Sequence, residues 1–265
     1  MRPLVLYAAA AILLTFLLAM GTVLMVCVPV HPHDAAIHAL EASEARSPLY
    51  EWECPGDGEI PPHRASLALD IPDEDIISGS WWGMLRQGAY GLGPWWLVDS
   101  DDPYVRAVAQ HVAAETEGYS EYGRANAALR FVQGTISYSI DGDLYGVREF
   151  YARPADTLLL RQGDCEDTSI LLCSVLSAMG YGCAIVTMPG HVAAAVELDG
   201  CPGKPMDIWG REFRYCETTG LHDVGDMLPE EEWEAHSPSE RGILLEFANG
   251  FLAWYRTVLR EVVGT

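Results

Sequence analysis

The sequence predicts an α+β domain that follows an N-terminal membrane-spanning helix. Residues 4–28 carry no charge and are predominantly apolar, which is long enough for a helix that crosses a bilayer. Apolar residues then recur at helical spacing between residues 103 and 179, and the period changes to that of strands between residues 181 and 219. A block of helices followed by a block of strands is typical of an α+β fold.

The segment 4–28 has the features of a retained signal-anchor. A cleaved signal peptide has a shorter apolar region and a small-x-small cleavage site, whereas Pro29 and Pro32 end this long run without such a site. A cleaved signal and a lipid-modified Cys27 are the alternatives. Arg2 is the only cation on the short flank and the far flank is acidic, which predicts a single-pass protein of the cell membrane with its domain outside the cytoplasm.

The composition excludes nucleic acid as a partner. Among 265 residues, Asp and Glu number 38 against 16 Lys and Arg, a net charge of −22, and such a surface repels phosphate backbones. The length suits one sizeable domain with extensions. We divide the chain into a signal-anchor (1–30), a stalk with a Trp/Pro/Gly-rich extension (31–102), a core (103–220), and an acidic linker with an amphipathic helix (221–265).

Between the anchor and the core, the sequence predicts little regular structure. Residues 34–47 have helical spacing, whereas residues 48–102 are rich in Pro, Gly, Asp and Trp. The second segment is expected to be irregular with short helices, and to pack on the domain because disordered segments lack aromatic residues. Its tryptophan pairs, at 81–82 and 95–96, either pack in this way or line a groove for a sugar or peptide.

The core begins with helical segments. Asp102 and Pro103 are typical of the N-cap and first residue of a helix that reaches about residue 116, and Ser120 is a suitable N-cap for a helix over 121–135. Further elements are an extended segment (136–140), a proline-initiated helical turn (153–163), and a helix from 164 or 165 to 179 that Gly180 terminates.

Strands follow these helices. The predicted strands are 181–188, 191–198 and 213–219, with a turn at Asp199–Gly200. Apolar positions between 243 and 262 then have helical spacing, and the charged residues among them argue against a second membrane span. This amphipathic helix packs on the domain, lies on the membrane surface or docks a partner. Cys173 and Cys183 fall in apolar stretches typical of buried thiols.

Cys165 differs from the other cysteines because it lies at the predicted start of a helix, after Gly163. A helix N-terminus lowers the pKa of a cysteine and offers free backbone N–H groups to an oxyanion. The neighbouring Asp164, Glu166 and Asp167 oppose thiolate formation, although acids also suit the first turn of a helix. Cys165 is therefore the candidate nucleophile, and a structural thiol is the alternative.

His191 and Glu217 are the candidates to activate this thiol. His191 opens a strand 26 residues after Cys165, and the intervening helix and strand return the chain to the helix start. A carboxylate on a neighbouring antiparallel strand can orient an imidazole, and Glu217 lies on the third predicted strand. Asp199 and Asp207 lie in turn-like segments and are weaker candidates for this role.

The order of these motifs resembles the transglutaminase-like cysteine protein superfamily over about residues 103–220, and most closely the bacterial transglutaminase-like cysteine proteinases. Two positions depart from the family: a glutamate replaces the usual aspartate at 217, and the usual aromatic residue after the histidine is absent. The motifs that carry the resemblance are SYSID (137–141), RPADTLL (153–159), GDCED (163–167), His-Val (191–192) and Glu-Thr-Thr (217–219).

The resemblance implies a papain-like core in which the helix that bears Cys165 packs against an antiparallel sheet. It implies acyl transfer from an amide through a thioester, with Cys165 as the nucleophile, His191 as the base and then the acid, and Glu217 as the orienting carboxylate. The backbone N–H of Cys165 would supply one oxyanion donor, and Gln133 or Tyr138 would supply the second.

The resemblance also bears on cofactor and substrate. No cofactor is required, but some proteinases of the family bind calcium through acids beside the cysteine, which implies Asp164, Glu166 and Asp167; helix capping and packing are the alternative explanation of these acids. The expected function is hydrolysis of a protein or peptide, as a protease or amidase. A cross-linking transglutaminase or transpeptidase and a non-catalytic cell-surface binding module are the alternatives. A Cys/His metal site is not indicated, because CxxC and HxxxH spacings are missing.

Overall fold

The fold combines helices with antiparallel sheets, as predicted. A computed structural model describes residues 32–42, 49–73, 94–208, 210–227 and 243–245. The helices are α1 (Pro32–Ala42), α2 (Pro103–Glu115), α3 (Glu121–Thr135), α4 (Asp141–Leu144), α5 (Pro154–Leu160) and α6 (Cys165–Ala178), with a short 3-10 helix at Pro94–Leu97. The strands are β1 (Leu49–Cys54), β2 (His63–Ala68), β3 (Ser137–Tyr138), β4 (Gln162–Gly163), β5 (Cys183–Met188), β6 (His191–Glu197), β7 (Pro205–Ile208), β8 (Arg211–Cys216) and β9 (Ile243–Leu245).

The main sheet has five antiparallel strands in the order β7-β8-β6-β5-β9. A tight turn joins β5 to β6, so that Met188 lies opposite His191, and β8 pairs with β6 with Cys216 opposite Ala194. Helix α6 packs on β5 and β6. The first residue of β6 and the end of β8 therefore lie at the same end of the sheet, which is where the candidate residues lie.

Helix α6 is the central element of the core. Every residue from Gly163 to Leu176 is buried except Cys165. The helix contacts α2, α3 and α5 on one side and the sheet on the other. Such a position requires an apolar helix on nearly all sides, which explains why its sequence is more uniformly apolar than that of a surface helix.

The predicted N-caps of the two preceding helices are confirmed. Asp102 Oδ1 accepts the backbone N–H groups of Tyr104 and Val105 at 2.9 and 3.1 Å. Ser120 Oγ accepts the backbone N–H of Gly123 at 3.0 Å. These bonds satisfy N–H groups that have no partner inside the helix, and they set where α2 and α3 begin.

The prediction of irregular structure before the core is wrong for residues 49–68, which form the hairpin β1–β2. In β1 the residues Tyr50, Trp52 and Cys54 are buried, and those between them are exposed. This alternation has the period of a strand. The Pro- and Gly-rich sequence around the hairpin obscures the pattern, but Trp52 packs edge-on against Phe131 of α3 with ring centroids 5.0 Å apart.

The sequence reading also missed strands at both edges of the main sheet. β7 was not predicted, and β8 begins two residues earlier than expected. Residues 243–245 pair with β5 as β9, so the helix prediction is wrong for these three residues. An edge strand is determined by the unpaired backbone groups of its neighbour, which side-chain periodicity does not reveal. Residues 246–265 and the tryptophan pair at 81–82 lie outside the described residues.

The cysteines resolved in the structure are all free thiols: Cys54, Cys165, Cys173, Cys183, Cys201 and Cys216. The expectation that Cys173 and Cys183 are buried is confirmed. In the part of the chain that the structure describes, no helix combines the length and the apolar character that crossing a membrane requires. The predicted anchor, residues 4–28, lies outside that part, as does Cys27.

Candidate active site

Cys165 is the first residue of α6, as predicted, and its side chain is partly exposed at the surface of an otherwise buried helix. A glycine is required by packing two residues before it, at Gly163. A Cβ at Gly163 would lie 2.7 Å from Cβ of Asp167, closer than such atoms approach in proteins. Gly163 therefore lets Asp167 fold back against the chain that enters the helix.

His191 and Glu217 form a hydrogen-bonded pair. Imidazole Nε2 lies 2.9 Å from Glu217 Oε2. His191 is the first residue of β6 and Glu217 directly follows β8, so the two side chains are diagonal neighbours on one face of the sheet. Asp207, a weaker candidate for this role, instead accepts the backbone N–H of Gly210 in a turn.

The Glu217 carboxylate is buried and held by four donors, counting His191. The Tyr215 hydroxyl donates to Oε2 at 2.8 Å, and the backbone N–H and hydroxyl of Thr219 donate to Oε1 at 3.0 and 2.6 Å. Burial acts to raise the pKa of Glu217, but the hydrogen bonds from His191 and Thr219 outweigh it and the pKa falls to about 2. Glu217 is therefore ionised at neutral pH and holds Nε2 of the imidazole, which leaves Nδ1 for a second partner.

The second turn of α6 contacts the residues next to both members of this pair. Ser169 Oγ donates to the carbonyl of Val192 at 3.4 Å, and Thr168 Oγ1 lies 2.8 Å from Thr218 Oγ1. The backbone N–H of Val192 also faces the Cys165 sulfur. These contacts fix the helix start, β6 and the end of β8 relative to one another, so the three predicted residues lie in one site.

The Cys165 sulfur is held as a neutral thiol. Burial is the largest cause that raises its pKa, followed by the charge of Glu166, whose Oε2 accepts the S–H at 2.8 Å, and by Asp164. The sequence suggested that the helix N-terminus would lower this pKa and that the acids would oppose the effect. In the structure, burial and the acids prevail.

Two further acids join those predicted beside the cysteine. Asp141 begins α4, and Glu149 lies in the loop after it. Carboxylate oxygens of Asp141, Glu149 and Glu166 lie within 4.8 Å of one another. Burial raises the pKa of Asp141 and of Glu149 to about 7, with Glu166 contributing to both. The pKa values of Asp164 and Asp167 are also raised, by burial first and by neighbouring carboxylates second.

The arrangement of these carboxylates fits a bound divalent cation. One oxygen each of Asp141, Asp164 and Asp167 is buried without a hydrogen-bond partner, and the three groups lie within 4.8 Å of one another. Asp164 makes no side-chain capping bond to α6, so capping does not account for its oxygen. Calcium takes hard oxygen ligands. Of the three residues implied by the resemblance, Asp164 and Asp167 belong to this group, whereas Glu166 groups with Asp141 and Glu149.

The two candidate oxyanion donors have different surroundings in the structure. Gln133 Nε2 donates to the backbone carbonyls of Glu217 and His222 at 2.8 and 3.0 Å, so both its N–H groups are engaged behind the acid. The Tyr138 side chain is exposed at the surface. The pKa of its hydroxyl is raised by partial burial first, and then by the charges of Cys165 and Asp164. The charge of Cys165 therefore acts on the Tyr138 hydroxyl.

Several residues of the site were missed by sequence reasoning. Asp141 belongs to the SYSID motif, but its position after an extended segment does not by itself indicate a ligand. Thr168 and Ser169 carry no signal in a single sequence, because small hydroxyl residues are common in helices and loops. Thr218 belongs to the Glu-Thr-Thr motif, but its contact with α6 was not predicted. Their role depends on contacts between distant segments.

In comparisons with known proteins, no family model matches this chain, and no curated protein matches it either. The functional argument therefore rests on the geometry of the site.

Proposed function

We propose that the protein is a membrane-anchored, extracytoplasmic cysteine hydrolase of the transglutaminase-like type, a protease or amidase that acts on a protein or peptide. The observation that carries this proposal is the hydrogen bond between His191 and a buried, ionised Glu217, beside the helix start that bears Cys165. The packing of α6 on an antiparallel sheet supports a papain-like core.

The reaction proceeds through a thioester. His191 removes the thiol proton of Cys165, and the sulfur attacks the carbonyl carbon of the scissile amide. Protonated His191 then gives its proton to the departing amine nitrogen as the C–N bond breaks. A water molecule attacks the thioester while His191 takes its proton, and release of the carboxylic acid restores the thiol. Glu217 stays ionised throughout and keeps the imidazole oriented.

Two donors are available for the oxyanion of the tetrahedral intermediate. The backbone N–H of Cys165 has no intrahelical acceptor, because it belongs to the first turn of α6. Tyr138 supplies the second donor through its hydroxyl. Gln133 has a positioning role, since its amide holds the main chain of Glu217 rather than facing the thiol.

Asp141 with Asp164 and Asp167, or Asp141 with Glu149 and Glu166, would hold a calcium ion. Bound there, the ion supplies positive charge that offsets the carboxylates around the thiol. Without such an offset, the charge of Glu166 and the hydrogen bond that it accepts from the S–H favour the neutral thiol and oppose proton transfer to His191.

The test is selective alkylation of the full-length chain in detergent micelles with calcium. We expect low concentrations of iodoacetamide to modify Cys165 faster than any other cysteine, and His191→Ala to slow this modification at least about tenfold, which corresponds to a pKa rise of about one unit. His63→Ala is the matched control, because His63 lies on the hairpin and pairs with Glu115. Peptide mapping by mass spectrometry gives the rate at each thiol.

Equal rates at Cys165 and the other thiols, indifferent to His191, would favour the non-catalytic binding module. Once a substrate is found, adding a primary amine tests the cross-linking alternative. An amide product in place of the acid would assign the protein to acyl transfer onto amines, since both reactions share the thioester.

A further inference from the structure

Strand β3 has one side without a partner in the described part of the chain. The backbone N–H of Ser137 donates to the carbonyl of Arg161 at 2.8 Å, and that of Ser139 donates to the carbonyl of Gly163 at 3.0 Å. Backbone groups of successive residues in a strand point to opposite sides. The N–H and C=O of Tyr138 therefore point away from β4, and β4 is the only described strand that pairs with β3.

This open edge lies beside the nucleophile. Tyr138 is in register with Gly163, two residues before Cys165. The charge of Cys165 is also among the causes that raise the pKa of the Tyr138 hydroxyl, after burial. A chain that pairs with Tyr138 would therefore be held next to the reacting sulfur.

The same segment exposes two large apolar side chains. Tyr138 is 58% exposed and Ile140 is 51% exposed. The backbone is extended from Ser137 to Ile140, so these two residues lie on the same side of the segment. An open backbone edge next to exposed apolar side chains is the arrangement that accepts an added strand: main-chain bonds give affinity, and alternate side chains give selectivity.

We propose that β3 is the substrate-docking edge, where an extended peptide segment pairs with the backbone of Tyr138 and rests apolar side chains on Tyr138 and Ile140. This inference rests on the proposed function, because it takes the occupant to be the substrate of Cys165. It assigns Tyr138 a second role that depends on its main chain and not on its hydroxyl.

The charge around the edge selects the occupant. Asp143 follows β3 in sequence, is exposed, and belongs to none of the groups that would hold calcium, so its charge remains when calcium is bound. A second copy of this chain, paired edge to edge through β3, would bring together two chains that each carry a net charge of −22. The occupant is therefore a peptide with neutral or basic side chains at the paired positions.

The first experiment measures peptide binding by the full-length Cys165→Ala chain in detergent with calcium. The probes are fluorescein-labelled ten-residue peptides built from Ala, Ser, Leu and Lys, read by fluorescence polarisation. Each amide of the tightest binder is then N-methylated in turn. We expect methylation of one interior amide to weaken binding about 3- to 10-fold, the worth of one backbone hydrogen bond, with little effect at its neighbours. Equal effects at all positions, or no binding tighter than about 1 mM, would overturn the docking edge.

A pair of variants tests the same edge from the protein side. Tyr138→Pro and Tyr138→Val in the Cys165→Ala chain both remove the phenol, but only proline removes the N–H of residue 138. The bonds to β4 come from residues 137 and 139, so proline is tolerated at this edge. We expect the proline variant to bind about 3- to 10-fold more weakly than the valine variant at equal melting temperature. Equal affinities would contradict the proposal, and if the proline variant does not fold, the N-methyl scan decides.

A third experiment distinguishes a failure of the proposed hydrolysis from a failure of the proposed docking edge. The unlabelled peptides are incubated with the wild-type chain, and the products are identified by mass spectrometry. Binding with the expected N-methyl pattern but without cleavage would retain the docking edge and reject hydrolysis of these peptides. Cleavage at a rate that is indifferent to the N-methyl pattern would reject the docking edge and retain hydrolysis. A dimer that Tyr138→Pro dissociates would assign the edge to a second copy and reject the peptide.

Discussion

At the scale of single residues, Cys165 is subject to opposing influences. The helix N-terminus and the N–H of Val192 favour a thiolate, whereas burial, Glu166 and Asp164 favour the thiol, and the second group prevails. Asp164 and Glu166, which raise the pKa, also belong to the cluster that fits calcium. The reactivity of the nucleophile therefore depends on the charge state of its immediate neighbours in sequence.

Replacement of Glu166 tests this dependence. In the presence of a chelator, we expect Glu166→Gln to accelerate alkylation of Cys165, because the substitution removes the carboxylate that accepts the S–H. The thiolate fraction rises about tenfold for each unit by which the pKa falls. The measurement is the pH-dependent iodoacetamide rate at Cys165. Glu117→Gln, at an exposed position, is the control. An unchanged rate would show that Glu166 does not keep Cys165 in its protonated form.

The low pKa of Glu217 predicts how acid affects stability. Because the folded-state pKa of about 2 lies below the unfolded value near 4.3, ionised Glu217 stabilises the fold above that value. This contribution, on the order of 2 kcal/mol, is lost as the pH falls from about 4.5 towards 2. We therefore expect the difference in unfolding free energy between wild type and Glu217→Gln, measured with urea at several pH values in chelator, to shrink over that window. A difference that stays constant would contradict the pKa assignment.

At the scale of secondary-structure elements, the entry into α6 depends on a close approach of main chain and side chain. Gly163 lies against Asp167, and Asp167 Oδ1 accepts the N–H of Ala152 at 2.7 Å. Asp167 thereby ties the loop ahead of α5 to the first turn of α6. The position of Cys165 is set by this packing as much as by the helix itself.

Gly163→Ala is expected to displace Asp167 and to lower the unfolding free energy by about 1–3 kcal/mol, the usual cost of forcing extra volume into a packed site. Urea unfolding followed by circular dichroism gives the change. Gly142→Ala is the matched control, since a Cβ there meets only the carbonyl of Val147, at 3.9 Å. Equal stability of the two variants would show that the site relaxes around the added methyl group.

At the scale of the whole molecule, the acid cluster lets a cation influence the stability of the fold. Asp141 comes from α4, Glu149 from the following loop, and the other three acids from the start of α6. The cluster therefore joins two segments through groups that repel one another when all are ionised. A cation that binds the folded chain alone would stabilise it by mass action, by about 2.7 kcal/mol at a concentration 100 times Kd.

We accordingly expect calcium to raise the melting temperature of the wild-type chain and to have little effect on Asp164→Asn. In chelator the order reverses: Asp164→Asn is expected to melt higher than wild type, because the substitution removes one of the mutually repelling carboxylates. Differential scanning calorimetry with calcium or chelator measures both effects, and Asp143→Asn, which changes an exposed acid, is the control. The absence of any calcium effect on wild type would reject the cation site.

Much of the fold follows from local signals in the sequence. Asp102 and Ser120 have side chains that satisfy N–H groups at a helix start, and the apolar runs of α6, β5 and β6 have periods that suit their buried positions. Cys165 was recognisable as a candidate because a glycine and an acid precede it and two further acids follow it at the start of a helix. His191 was recognisable as a candidate because it opens a predicted strand, and Glu217 because it lies on a predicted neighbouring strand.

The remainder depended on contacts between segments far apart in the chain. β7 and β9 form because neighbouring strands offer unpaired backbone groups, and β1 forms because Trp52 and its neighbours are covered by α3. The sequence by itself determined which residue types were available for chemistry and roughly where each helix and strand lay. Only the tertiary structure decided that Asp141 and Glu149 join the acids beside Cys165, that Gln133 faces the main chain of Glu217, and that one edge of β3 has no partner in the described part of the chain. These features depend on distances between segments that local periodicity does not encode.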